Sequence, residues 1–171
     1  KKPRCEALTE GCVATADTQA KVAKSGMVFI PPPDWVYAQE EDMTVTRAKE
    51  GGGVLGMAAF ELGKEDNKAR EAQFTKLVED LGLNVPEKFK KKYVPNWNKP
   101  DATRKAGDLE VRLWQAEDAK RDGEPGYLLV LLSDEPGGKK VMGVAFAPKK
   151  DEASVEAISK SLETLGPGGY Q

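Results

Sequence analysis

The amino-acid sequence predicts an α+β domain in which an antiparallel β-sheet carries helices packed on its faces. The strongest signal is a pair of apolar runs, Tyr127 to Leu132 and Val141 to Phe146, separated by a short segment that contains Pro-Gly-Gly. A connection of about five to eight residues is too short for a parallel crossover, so the pair is predicted to form an antiparallel hairpin. A run that is apolar at every position is typical of a strand covered on both faces. This hairpin should therefore lie near the centre of the sheet.

Two amphipathic patterns predict the helices that cover the sheet. The first extends from residue 66 or 67 to residue 81, with its apolar side chains on one face and Gly82 as its end. The second follows Asp151, whose carboxylate is placed to accept a hydrogen bond from the free amide of Ser154. Its apolar stripe, at helical spacing, consists of Val155, Ile158, Leu162 and Leu165.

Shorter runs predict the other strands: 27–30, 35–39, 43–48, 54–62, 89–94 and 109–116. The last of these alternates, so we expect Leu109, Val111 and Leu113 on the buried face and Trp114 with the charged residues on a solvated face. The charged segment 117–124 that follows is predicted to be a solvated turn.

Residues 1–25 are polar and show no sustained period, so they are predicted to form an N-terminal arm, followed by a single domain over 26–171. Cys5 and Cys12, the two cysteines of the chain, both lie in this arm. Because exposed thiols are poorly tolerated, we favour a local disulfide between them over two free thiols. A disulfide predicts that the protein is exported.

Two Gly- or Pro-rich motifs are better explained by structure than by chemistry. The segment 51–56 matches GxGxxG, but no buried strand precedes it and no helix begins within it, so it is interpreted as a hairpin turn and not as a dinucleotide site. Pro31, Pro32 and Pro33 lie between an apolar strand and Trp35, which favours a rigid connector over a ligand for SH3-type domains.

The composition argues against catalysis. The chain contains no histidine, which removes the usual general base near pH 7 and most zinc and iron sites. Its carboxylates fall mostly in turns and on helix faces, where nothing would raise a pKa into a working range. We therefore expect a protein that is not an enzyme and that needs no cofactor and no metal.

Residues 84–105 are unusually basic and contain interleaved aromatic side chains, a combination that can hold single-stranded nucleic acid. The net charge of −2 makes a polyanion partner less favoured, and a strand edge protected by lysines explains the same pattern. The segment is nevertheless the candidate partner-contact surface, with Lys88, Lys90, Lys91, Lys92, Tyr93, Trp97, Lys99, Arg104 and Lys105.

The order of elements resembles the PsbP-like family, whose fold is shared with Ran-binding Mog proteins and small bacterial exported lipoproteins. The resemblance covers about residues 26–165 and is carried by Phe29-Ile30-Pro31 followed by Trp35, by the apolar hairpin, and by the helix 151–162. It implies an antiparallel sheet with helices on its faces and a role in binding or assembling other proteins. The lipoprotein branch implies an extracytoplasmic location, with a membrane tether through a lipidated cysteine upstream of Lys1.

The sequence thus predicts a non-enzymatic, exported domain whose partner is another protein. Two alternatives stay open: polyanion or nucleic-acid binding through residues 84–105, and a small-ligand pocket lined by Trp35, Trp97 or Trp114.

Overall fold

The structure, a computed structural model, describes residues 11–40, 42–50, 52–61, 66–84, 95–106, 109–134 and 139–167. Two helices and eleven strands are found in these ranges. In chain order they are β1 (Ala20–Lys21), β2 (Met27–Phe29), β3 (Val36–Gln39), β4 (Thr44–Arg47), β5 (Val54–Glu61), α1 (Asp66–Asp80), β6 (Leu83–Asn84), β7 (Ala102–Ala106), β8 (Leu109–Arg121), β9 (Glu124–Asp134), β10 (Lys139–Pro148), α2 (Glu152–Leu162) and β11 (Gly166–Pro167).

The main sheet has eight strands, and it confirms the predicted α+β class. Seven of them follow the order β3-β4-β5-β10-β9-β8-β6. The eighth strand, β7, also pairs with β8. Neighbouring strands are antiparallel throughout, and β9 and β10 form the predicted hairpin. Because β5 and β8 flank this hairpin, its position inside the sheet is as predicted.

The two helices cover opposite faces of the sheet. On one face, α1 contributes Phe74, Leu77 and Val78 to a core that includes Val130 and Val144. On the other face, α2 contributes Ile158 and Leu162 to a second core that includes Leu131 and Ala145. Side chains that alternate along β9 and β10 therefore enter two different cores, which explains why both runs are apolar at every position.

The N-cap that begins α2 and the glycine that ends α1 are both found as the sequence predicts. The Asp151 carboxylate accepts hydrogen bonds from the Ser154 backbone nitrogen, at 3.1 Å, and from its hydroxyl, at 2.6 Å. Gly82 follows α1 with a φ of +70°, a backbone conformation that favours glycine.

The predicted boundary of the N-terminal arm needs correction for residues 11–25. Ala20, Val22 and Ala23 are buried, β1 pairs with β2, and a bridge joins Ala23 to Ala58 of the main sheet. These short apolar residues are spaced too irregularly to form a helical or strand-like period, so no local pattern indicated their burial. A second small sheet, ordered β1-β2-β11, holds both ends of the described chain together.

The strand β8 differs from its prediction in length and in its faces. It continues through the charged segment to Arg121, with a bulge between Ala116 and Ala119. The reversal is a two-residue turn at Asp122 and Gly123, whose φ values of 51° and 82° fit the Asp-Gly hairpin signal. Trp114, expected on a solvated face, is 1% exposed because the α1 side of the sheet is also covered.

Gly126 of β9 has no room for a side chain. A Cβ atom there would lie 2.3 Å from the Ala147 carbonyl oxygen of β10 and 2.6 Å from the Phe146 ring. We expect Gly126→Ala to lower the free energy of unfolding by about 1–3 kcal/mol, the usual cost of overpacking. Urea unfolding measures this change.

Gly143→Ala, in the neighbouring strand, is the matched control. Its nearest atom would be the flexible Met57 Cε, at 3.3 Å, so we expect a smaller loss. Equal losses for the two variants would show that the close approach at Gly126 does not restrict the hairpin.

Candidate functional site

The structure separates the residues of the predicted partner-contact surface. Lys99, Arg104 and Lys105 are exposed. Of these, Arg104 forms an ion pair with Glu163 of α2, its Nη1 lying 3.4 Å from Oε1. The remaining members of the set, with the strand predicted over 89–94, lie outside the described residues: Lys88, Lys90, Lys91, Lys92 and Tyr93.

Trp97 is not a surface residue, which corrects its assignment to the contact surface. It is 6% exposed, and its ring meets Phe74 and Trp114 edge to face, with centroid distances of 6.1 Å and 5.4 Å. Trp114 Nε1 donates to the backbone oxygens of Asn96 and Lys99, which holds the 95–100 loop against the sheet. Trp97 therefore helps to close the α1 core.

The predicted tryptophan-lined pocket is not supported by the structure. Trp35 is 7% exposed and packs near Gly53 and Ser154, and the rings of Trp97 and Trp114 are also buried. None of the three lines the groove described below. Burial follows from the size of these side chains, which contribute large apolar areas to both cores.

The predicted disulfide stays a prediction because Cys5 lies outside the described residues. Cys12 is half-buried, and its backbone oxygen accepts from Tyr37 N at 3.0 Å, so this segment lies along β3. No cysteine in the described part of the chain is free.

A pocket of the described chain runs between the triple proline and α2, and we call it the proline–helix groove. Its volume is about 510 Å³, and it is open to solvent along one side. Most of its wall is apolar, with Glu156 and Lys160 as its charged residues. The lining consists of Ala16, Ile30, Pro31, Pro32, Pro33, Ala153, Glu156, Ala157, Lys160, Ser161 and Thr164.

Hydrogen bonds fix the two walls of this groove against each other. Ile30 N donates to Thr164 Oγ1 at 2.7 Å, and the Ser161 hydroxyl donates to the Ile30 oxygen. Thr164 Oγ1 in turn donates to the Ser161 oxygen at 2.6 Å. Ser161 of α2 and Thr164, just after the helix, bind both polar backbone groups of Ile30. The prolines that follow Ile30 therefore begin at a defined position beside the helix.

The proline–helix groove was not predicted from the sequence. The triple proline itself connects β2 to β3, as predicted. The groove requires residues from 16 to 164, and no local pattern shows that Pro31 and Ala157 lie side by side. The available signal was a pair of alanines on α2: Ala153 is exposed, and Ala157 is half-buried at the margin of the α2 core.

The charged cluster around Asp42 ties three parts of the chain together. Its carboxylate lies 3.4 Å from Lys24 Nζ and 3.2 Å from Lys76 Nζ of α1. Hydrogen bonds from Lys76 first, and then from Lys24, lower the pKa of Asp42 below its usual value of 3.8. All three side chains are largely exposed, so the cluster is a surface feature and not a buried site.

The described residues contain no group of three or more His, Cys, Asp or Glu side chains that could hold a metal ion. Within the same ranges, neither helix has the length and apolarity that crossing a bilayer requires.

Comparison with known proteins assigns neither a family nor a function. No protein-family model and no curated protein sequence matches the chain. A solved structure from Bacteroides thetaiotaomicron is similar over 83% of this chain, with 14% identity and a TM-score of 0.49. The chain spans 45% of the length of that structure. A TM-score at this level says nothing about what the chain does.

We expect Asp42→Asn to reduce stability at pH 7 and to remove part of its pH dependence. A carboxylate whose pKa is lowered in the folded state stabilises the protein above the unfolded-state pKa. That contribution is lost as the pH falls from about 3.8 through the folded-state pKa. Urea unfolding at pH 7 and at several pH values below 4 should show the wild-type advantage shrinking toward zero.

Lys76→Gln provides the partner control for this cluster. In the wild-type background, Lys76→Gln should cause part of the stability loss that Asp42→Asn causes. In a chain that already carries Asp42→Asn, it should cause almost no further loss, because the two side chains share one interaction. An Asp42→Asn variant whose deficit stays constant down to the lowest pH would contradict the linkage.

Proposed function

We propose that this chain is a non-enzymatic, exported binding domain that recognises another protein through the proline–helix groove. The single observation that carries the proposal is this apolar, solvent-open groove with walls fixed by hydrogen bonds. Rigid walls favour binding because little conformational entropy is lost there when a partner docks.

The chemistry of the two walls indicates what kind of partner fits. Proline has no backbone N–H, so the segment 31–33 cannot extend a partner's strand by main-chain pairing. Beyond its first turn, the backbone groups of α2 are engaged within the helix, so most of that wall also offers side chains only. The occupant is therefore a segment of another protein that inserts apolar side chains, with Glu156 and Lys160 at the rim as its polar contacts.

The charge at the rim also favours a protein over a polyanion. Glu156 and Lys160 form an ion pair with each other at 3.3 Å, so the groove has no net basic field. On the other candidate surface, Arg104 is already paired with Glu163 and Trp97 is buried. Nucleic-acid binding through residues 84–105 is therefore the less supported alternative.

Export is the second part of the proposal. It is supported by the cysteine pair of the sequence and by the absence of a free cysteine in the described ranges. The PsbP-like resemblance supports an extracytoplasmic interaction role, with an upstream lipidated cysteine as the tether.

A photo-crosslinking side chain at position 153 tests the groove. Ala153 is exposed in the groove, whereas Ala72 is exposed on α1, across the sheet. In the native cell, we expect a protein adduct from position 153 that position 72 does not give.

The purified adduct partner then provides the affinity test. Ala153→Arg should weaken its binding at least about tenfold, because a charged side chain fills an apolar contact, while Ala72→Arg binds like the wild type. Isothermal titration calorimetry measures both. Equal affinity of the partner for the wild type and Ala153→Arg would overturn the groove as the contact site.

The export prediction is tested by thiol alkylation and mass spectrometry. In protein isolated from its native compartment without reductant, we expect neither Cys5 nor Cys12 to be alkylated until the sample is reduced. Cys12→Ser should leave Cys5 reactive under the same conditions. Two alkylated cysteines in the unreduced wild type would count against an oxidising compartment.

A further inference from the structure

Three acidic residues lie beside one end of the proline–helix groove: Asp17, Asp34 and Glu152. We call this part of the surface the acidic end. All three residues are exposed. Each is the direct sequence neighbour of a residue that lines the groove, and those lining residues are Ala16, Pro33 and Ala153. The acidic end is therefore part of the same site and not a separate patch.

Contacts between distant parts of the chain bring these residues to the same end of the groove. Asp34 N donates to the Ala14 oxygen at 2.9 Å, so the segment that follows Ala14 lies beside Asp34. A Cβ atom on Gly53 would lie 2.8 Å from the Trp35 ring and 3.0 Å from Ser154 Oγ, so Trp35 and the first turn of α2 meet at this glycine. The acidic end is thus the end of the groove at which α2 begins.

The negative charge of the acidic end is not balanced within the described chain. None of the ion pairs among the described residues includes any of its three carboxylates. The two lysines that precede α2 lie beside the start of β9, where Lys150 is paired with Glu124 at 3.2 Å and Lys149 N donates to the Pro125 oxygen. The ion pair at the rim of the groove is neutral as a unit. The groove therefore favours an occupant of positive charge.

The hydrogen-bonding groups of the groove also favour such an occupant. The prolines at 31–33 have no N–H, and ionised carboxylates accept only. The lining hydroxyls of Ser161 and Thr164 already donate to backbone oxygens. Lys160 is engaged by Glu156 at 3.3 Å. Apart from the amides in the first turn of α2, the groove thus offers acceptors and few donors, so its occupant must bring donors.

The size of the groove decides what kind of cation fits. Its volume of about 510 Å³ lies in the range of pockets that enclose whole ligands. Within the described ranges, no group of acidic side chains is arranged to hold a metal ion, so the three carboxylates are suited to separate contacts. An arginine side chain combines an apolar stem with five N–H donors on a planar cation. It matches the apolar wall and the acidic end together.

We infer that the occupant of the proline–helix groove is a basic segment of the partner protein. An arginine of that segment lays its aliphatic stem on the apolar wall and donates from its guanidinium to the acidic end. Arginine fits better than lysine because its donors are spread over a plane and can reach more than one acceptor at once. This inference rests on the proposed function and adds the chemistry of the partner to it.

A capped hexapeptide in which arginine and leucine alternate is the probe. In calorimetry and amide chemical-shift mapping of the full chain, we expect saturable binding with shifts in residues 14–18, 30–35 and α2. Replacing each arginine by citrulline keeps the shape and removes the charge, which should weaken binding at least about tenfold, since hydrogen bonds to charged groups are the stronger ones. Added salt should weaken the arginine peptide more than the citrulline peptide.

Charge-neutralising substitutions in the chain test the acidic end itself. The double variant Asp34→Asn/Glu152→Gln should bind the arginine peptide at least about tenfold more weakly, because two charged acceptors are lost. Asparagine tolerates the φ of +72° found at Asp34, so the turn after the prolines is kept. Glu71→Gln/Glu79→Gln is the matched control: it removes two exposed carboxylates from α1, across the sheet, and should bind like the wild type.

The same variants separate this inference from the proposed function. A partner whose binding is blocked by Ala153→Arg but is unchanged in Asp34→Asn/Glu152→Gln would overturn the inference and leave the groove as the contact site. Equal binding of the arginine and citrulline peptides, an equal loss in the α1 control, or no saturable binding of the arginine peptide would also overturn it. Absence of an adduct from position 153 would overturn the proposed function and this inference with it.

Discussion

The two-sided burial of the β9–β10 hairpin is the constraint on which the rest of the structure depends. Val130 and Val144 are paired across the hairpin and face α1, whereas Leu129 and Ala145 are paired and face α2. Neither face can be left to solvent, since each buried aliphatic side chain contributes about 1.5–3 kcal/mol by leaving water. Both faces of this one pair of strands must be covered. The fold therefore requires both helices and the strands that lead to them.

Close approach within this hairpin limits its sequence further. At Gly126, near the start of β9, the backbone passes beside the Ala147 carbonyl oxygen of β10 and leaves no room for a side chain. The turn at Asp122 and Gly123 pairs β8 with β9, and Val111 and Leu113 of β8 lie on the face that α2 covers.

The proline–helix groove lies along α2 because of what that helix must bury. The helix packs Ile158 and Leu162 against the sheet, which leaves its other sides to face neighbours that come from distant parts of the chain. Ile30 is bound by Ser161 and Thr164 across more than 130 positions of sequence, and this contact holds the prolines beside the helix. On another side of the helix, Glu163 forms an ion pair with Arg104 of β7.

The sequence by itself determined the elements whose signals are local. Unbroken apolar runs specified the hairpin and its depth in the sheet, and the Asp151 cap and the apolar stripe specified α2. It did not reveal that the second face of β8 is covered, and so Trp114 was expected on a solvated face. Trp97 was expected at the surface because basic residues surround it in the sequence, although the two rings meet in the core. Likewise, residues 11–25 have no period of their own, and Ala20, Val22 and Ala23 are buried only because β2 and the main sheet lie beside them.

Only the tertiary structure decided the proline–helix groove. It requires side chains that are far apart in the sequence, and the spacing between Pro31 and Ala157 has no local meaning. The physical reason is that burial and pairing energies depend on what covers a residue, whereas a sequence pattern records only how neighbours alternate. Secondary structure could thus be predicted from the chain, and the surfaces available for binding could not.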